Sequence, residues 1–234
     1  MTIAALWLAQ VAAFAAGWLG PWRDAPERGT RGRVPLPIRM GVSLSLVLAS
    51  FLILRQAEGI HAVYAAWVTL GMAASFVGDL VMAKLIPLPN RLIGGMVTFA
   101  VGHAFYVTAY ASTAAAAGSP LPNAGLWLAL AAYAAATVGG WWVAIRNPAK
   151  PTALNVGALV YGAWIGVMAS FAFALAFTLG GSWWLAAAGG LSFVASDFLI
   201  GLTEIRDVEI DQPNDWIWLT YVAGQMGIVY AAWA

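Results

Sequence analysis

The sequence predicts an all-α, polytopic membrane bundle of eight transmembrane helices, and three observations predict it. Hydrophobic residues make up 62% of the 234 and charged residues 9%, with a mean hydropathy of +0.80. Mostly apolar runs of about 20 residues, the length that crosses a bilayer, recur along the chain with short connections. Two of these runs carry an aspartate, Asp79 in 75–82 and Asp197 in 192–199. A carboxylate at that depth costs at least ~2.5 kcal/mol on insertion scales, so each is read as a functional group.

Proline, glycine and charge punctuate the runs and set the spans in order. Span 2–20 stops at Gly20-Pro21; with no basic segment before it and no cleavage site after it, it is expected to be a retained helix. Span 37–54 lies between Pro37 and Arg55, and 62–86 between His61 and Pro87. Arg91 opens 91–111, and Asn123 and Arg146 bracket 124–145. Thr152 precedes 153–178, which ends before Gly180-Gly181. The last two, 183–204 and 216–234, flank an acidic connection from Glu204 to Asp215. All are expected to be helical, because an open sheet edge leaves unsatisfied backbone groups in lipid. No room remains for a soluble domain, so 1–234 is read as a single transmembrane domain.

Basic residues orient the bundle. Arg23, Arg28, Arg31, Arg33, Arg39, Lys84, Arg91, Arg146, Lys150 and Arg206 all lie on or beside connections after odd-numbered spans; Arg55 alone lies opposite. Those connections are expected in the cytosol, with both termini outside. Trp22, Trp127, Trp183, Trp184, Trp216 and Trp218 fall at span ends, as an interface belt does. The net charge of +1 suggests no nucleic-acid partner, and the absence of cysteine removes thiol nucleophiles and disulfides.

Counting ~1.5 Å per residue puts Asp79 and Asp197 about 10 Å in from the cytosolic ends of the third and seventh spans. His103, Tyr106, Asn155, Tyr161, Tyr221 and Gln225 fall mostly in the same half, which predicts one shared cavity open to the cytosolic leaflet. Ser196 adjoins Asp197, and Lys84 and Arg91 stand near the mouth as candidates for binding a phosphate. The two aspartate segments resemble each other and lie four helices apart, as in a parallel four-plus-four repeat that brings the pair face to face.

Gly78-Asp79, Gly102-His103 with Tyr106, Tyr161, Phe193 with Ser196-Asp197, and Tyr221 with Gly224-Gln225 together resemble the YhhN family. The resemblance runs from the second span to the end. It departs at Gly224, where the family tends to have Ala, and in the acidic connection, which is longer than usual. It implies an eight-helix membrane protein, expected in a bacterial cytoplasmic membrane, and a lysoplasmalogenase activity. Such enzymes hydrolyse the vinyl ether of alkenyl lysophospholipids to a fatty aldehyde and a glycerophospho-base, without a cofactor. The substrate and the surrounding membrane lipids are then the expected partners.

A vinyl ether hydrolyses by protonation at the β-carbon, capture of the oxocarbenium ion by water, and collapse of the hemiacetal. One acid and one base or anion suffice, a division of labour like that of glycosidases, and Asp79 and Asp197 are the candidates. A metal hydrolase is the second enzymatic reading, but Asp79, Asp197 and His103 make a poor zinc set, and His61 lies at the opposite face. A proton-coupled small-molecule or lipid transporter would use the same aspartates. Its path would carry polar groups through both membrane halves, whereas 113–117 and 185–188 are small and bland.

Overall fold

A computed structural model of the protein describes residues 3–19 and 34–233. Arg23, Arg28, Arg31 and Arg33, used above for orientation, and Trp22 of the expected interface belt lie outside them. The described residues form α1 (Ile3–Leu19), α2 (Leu36–Gln56), α3 (Gly59–Met82), α4 (Arg91–Ala116), α5 (Ala124–Gly140), α6 (Thr152–Leu179), α7 (Trp183–Ile200) and α8 (Pro213–Tyr230), with no strand among them. α5 and α7 each continue into one wide, π-helical turn, Trp141–Ile145 and Gly201–Ile205.

Six of the helices, α2 through α7, are long and apolar enough to cross a membrane, so the chain is a multi-pass membrane protein. α1 contributes a shorter apolar stretch, Ile3–Ala16, and α8 lies outside the six. The ends follow local chemistry. Asn90 caps α4 by accepting from the Leu92 and Ile93 amides, each at 3.1 Å, and Asn123 caps α5 through Leu126 at 2.9 Å. α3 stops at Met82 rather than 86, because Lys84 turns to a φ of 62°.

The tryptophan belt is only partly a belt. Trp127, Trp184 and Trp216 are exposed, but Trp183 is buried under His61, rings stacked at 5.1 Å, and Trp218 is buried against Phe14 at 4.9 Å. A span-end position does not say which face of the helix the indole occupies, and these two point inward.

Each helix packs on its chain neighbour, except α4 on α5, where α4 turns instead to α6; α2 closes the bundle against α8. Exchanging every helix for the one four later converts α1–α2 into α5–α6, α2–α3 into α6–α7, α3–α4 into α7–α8 and α4–α6 into α8–α2, so these pairings map onto themselves. α3 also packs on α8.

Glycine sets two close crossings, α3 on α4 and α7 on α8. A Cβ on Gly71 would lie 3.1 Å from the Gly102 carbonyl oxygen, and one on Gly102 3.0 Å from that of Gly71. For Gly189 and Gly224 the corresponding distances are 2.6 and 2.9 Å. Small residues permit this backbone approach, which drives helix association where no hydrophobic effect operates between helices. Gly189→Ala is therefore expected to destabilise the protein by about 1–3 kcal/mol, since backbone cannot yield as a side chain can; thermal unfolding in detergent measures it, and an unchanged Tm contradicts the packing account.

Candidate active site

Asp79 and Asp197 reach one cavity of about 450 Å³ between α2, α3, α7 and α8. Asp79 is held from two sides. Ser43 of α2 donates to its Oδ2, and Tyr221 of α8 donates to the same oxygen at 2.8 Å. Behind Tyr221 the chain of hydrogen bonds continues: Gln225 Nε2 donates to the Tyr221 hydroxyl at 3.3 Å, and Tyr106 donates to Gln225 Oε1 at 2.6 Å. Three elements, α2, α4 and α8, thus converge on a carboxyl carried by a fourth, α3, and every member of the relay is buried.

Asp197 is differently placed. Its Oδ2 is buried and has no protein hydrogen-bond partner, and no hydrogen bond joins it to Asp79 among the described residues. It stands on the wall of the polar cavity and also on that of a second cavity, about 390 Å³, enclosed by α4, α5, α6 and α7. The second cavity is almost wholly apolar, walled by residues such as Met96, Ala136, Trp141, Ile165, Leu191 and Val194. Met82, Phe99, Asp197 and Ile200 line both. The wide turns ending α5 and α7 shape its rim: Trp141, Ile145, Gly201 and Ile205 all line it, and a Cβ on Gly201 would lie 2.8 Å from Ile145. Such wide turns occur often at functional sites.

At the mouth of the polar cavity stand Arg39, Lys84 and Arg91 with Glu204. Arg91 and Glu204 form an ion pair at 2.9 Å, both partly exposed. A pair so exposed contributes little to stability, but it orients two charges at the rim. Lys84 is exposed on the left-handed turn after α3.

The other residues singled out in the sequence divide by where they lie. Tyr106, Tyr221 and Gln225 form the relay to Asp79. Tyr161 lines the apolar cavity with Asp197, its hydroxyl without a protein partner. Ser196 lines the polar cavity but donates to the Ile217 carbonyl at 3.0 Å, tying α7 to α8. His103 is fully buried between rings, edge-on to Phe193 at 4.7 Å and beside Tyr161 at 6.0 Å, and lines neither cavity. Among the described residues no three His, Asp or Glu side chains are grouped to share a metal ion.

Asn155 does not join the site. Its side chain accepts from the Asn147 amide at 2.8 Å and donates to the Asn147 carbonyl at 2.9 Å, closing the α5–α6 connection. Depth counted along a helix places a residue at a level but not on a face, and Asn155 faces its own loop.

Ser43 and Arg39 are the functional candidates that the sequence reading missed. Ser43 is one of three serines in α2, and Arg39 is in sequence only one more basic residue of a cytosolic connection. The signal was their spacing, since residues four apart share a helix face and a basic mouth residue then shares its stripe with a hydroxyl.

A sequence model of the YhhN family matches residues 38–232. The chain belongs to the YhhN family. No curated protein and no solved structure was found to match it. The matched range holds every residue of the Asp79 relay and both cavity walls except Leu36, so the site lies within the part of the chain that matches the family.

Because its amide is spent on the loop, Asn155→Ala is expected to lower the Tm by a few degrees, consistent with about 1 kcal/mol for the hydrogen bonds it makes to half-buried loop backbone. Turnover per folded molecule should stay within about twofold. A large loss of turnover with an unchanged Tm would return Asn155 to the site.

Proposed function

We propose that this chain is a membrane hydrolase that cleaves the vinyl ether bond of alkenyl lysophospholipids, a lysoplasmalogenase. The observation that carries the reading is the junction of an apolar and a polar cavity at Asp197. An amphiphile with an apolar chain and a charged head has the bond between them where these two cavities meet. In this reading the alkenyl chain occupies the cavity of α4–α7. The glycerophospho head lies in the polar cavity, its phosphate toward Arg39, Lys84 and Arg91. The bundle spans the bilayer eight times with both termini outside, and the substrate enters from the cytosolic leaflet.

The chemistry needs two carboxyl groups with different tasks. One of Asp79 and Asp197 protonates the β-carbon, and the resulting cation is captured by a water that the other aligns and deprotonates. The hemiacetal then collapses, the aldehyde leaves, and the glycerol oxygen takes a proton. YhhN membership is consistent with this hydrolysis. Proton-coupled transport is the competing use of the same carboxyls. Gln10 does bring a polar group into the α1–α2–α8 contact, but it is satisfied by Ser45 at 3.0 Å and Tyr230 at 2.9 Å and lines neither cavity.

The test is purified protein with alkenyl and saturated alkyl lysophospholipids, monitoring free aldehyde. Release from the alkenyl substrate only is expected, with Asp79→Asn and Asp197→Asn each lowering kcat by about 10²-fold or more, the usual weight of a positioned acid or base. Full activity in either variant overturns the mechanism. No aldehyde from wild type, with substrate-driven proton flux in liposomes, supports transport instead.

A further inference from the structure

The two aspartates occupy equivalent places in the bundle, but what faces them is not equivalent. The exchange that maps α3–α4 onto α7–α8 also pairs the glycine crossings, Gly71 on Gly102 corresponding to Gly189 on Gly224. Counted from those crossings, Asp79 follows Gly71 by eight residues, as Asp197 follows Gly189. Phe99 precedes Gly102 by three, as Tyr221 precedes Gly224. The Phe99 and Tyr221 rings touch edge to face, centroids 5.8 Å apart, as counterparts meeting near an axis of exchange do.

Tyr221 reaches across from the second half of the chain to Asp79 in the first. Its counterpart Phe99 lines both cavities with Asp197 and has no hydroxyl to donate. The direction of the Asp79 relay is set from behind. Tyr106 donates to the Gln225 oxygen, which leaves the Gln225 nitrogen to donate to Tyr221, so the Tyr221 proton is directed at Asp79. With Ser43 as a second donor, Asp79 Oδ2 is surrounded as an acceptor-only oxygen is. Asp197 Oδ2 receives nothing from the protein.

We propose that this Phe-for-Tyr difference divides the labour of the pair: Phe99 and Tyr221 are positioning residues that make Asp197 the proton donor and Asp79 the anion. The assignment rests on the hydrolase reading above and goes beyond it by giving each carboxyl its role. Asp197 gives its proton to the β-carbon, the vinyl π pair forming the new C–H bond. Water adds to the cation and passes a proton to Asp79. On collapse of the hemiacetal, Asp79 returns that proton to the departing glycerol oxygen while Asp197 takes the proton of the hemiacetal hydroxyl. Both carboxyls are restored, and one water is consumed for each aldehyde and alcohol formed.

Infrared spectroscopy of the full-length protein in lipid bilayers, read at the C=O stretch of a protonated carboxyl, tests this without substrate. The band is expected to vanish in Asp197→Asn and to persist in Asp79→Asn. Phe99→Tyr, which offers Asp197 a hydroxyl donor, should displace or abolish it and lower kcat by on the order of 10-fold with little change in KM. Tyr221→Phe, which removes one oxygen and little volume, should add a second band that Asp79→Asn removes. A band lost in Asp79→Asn instead, or spectra indifferent to Phe99→Tyr and Tyr221→Phe in protein with native circular dichroism, overturns the assignment. Absence of aldehyde from wild type overturns the hydrolase reading itself, while the bands still decide which carboxyl holds the proton.

Discussion

A carboxyl group inside an apolar helix bundle has no bulk water to satisfy it, and the protein must either supply partners or leave it facing a space where chemistry supplies them. The two aspartates of this chain meet that constraint in opposite ways. Asp79 is enclosed by donors from α2 and α8, themselves steadied by a glutamine and a tyrosine. Asp197 is left at the seam between a polar and an apolar cavity. The bundle's arrangement around its centre can be read as the means of holding these two environments side by side.

Close helix contact is what makes the arrangement possible. At the Gly71–Gly102 and Gly189–Gly224 crossings the backbones approach so nearly that a methyl group would strike a carbonyl oxygen. Each crossing lies about two turns from an aspartate, so it sets that aspartate's position relative to the neighbouring helix. α5 sits at the periphery, contributing one wall to the apolar cavity and presenting Trp127, Leu128, Val138, Trp142 and Val143 outward. In the proposed hydrolase, a peripheral helix bordering an apolar cavity would let the substrate come from the bilayer.

Much of the site was legible because polar residues are rare here. Against an apolar background, Asp79, Asp197, Tyr106, Tyr221 and Gln225 stood out, and counting from the charged connections put them at one level. Counting fails around the helix. It assigned Asn155 to the site although its amide closes a loop, and placed Trp183 and Trp218 in an interface belt although they are packed inside. Ser43 was invisible because hydroxyls hydrogen-bond their own helix at little cost, as Ser45 and Ser50 do, so a serine in a membrane helix carries almost no signal.

What the sequence by itself determined was the class of the molecule and the level at which its two carboxyls lie along their helices: apolar length demands membrane helices, and ionisable groups within such length are costly enough to stand out. The likeness of the two aspartate segments could be seen there as well. Only the tertiary structure decided what each aspartate meets. Tyr221 lies 142 positions from Asp79 and reaches it only because α8 packs on α3, and the two cavities exist only where helices distant along the chain come together. A hydrogen bond depends on direction and separation in space, neither of which can be counted along a chain.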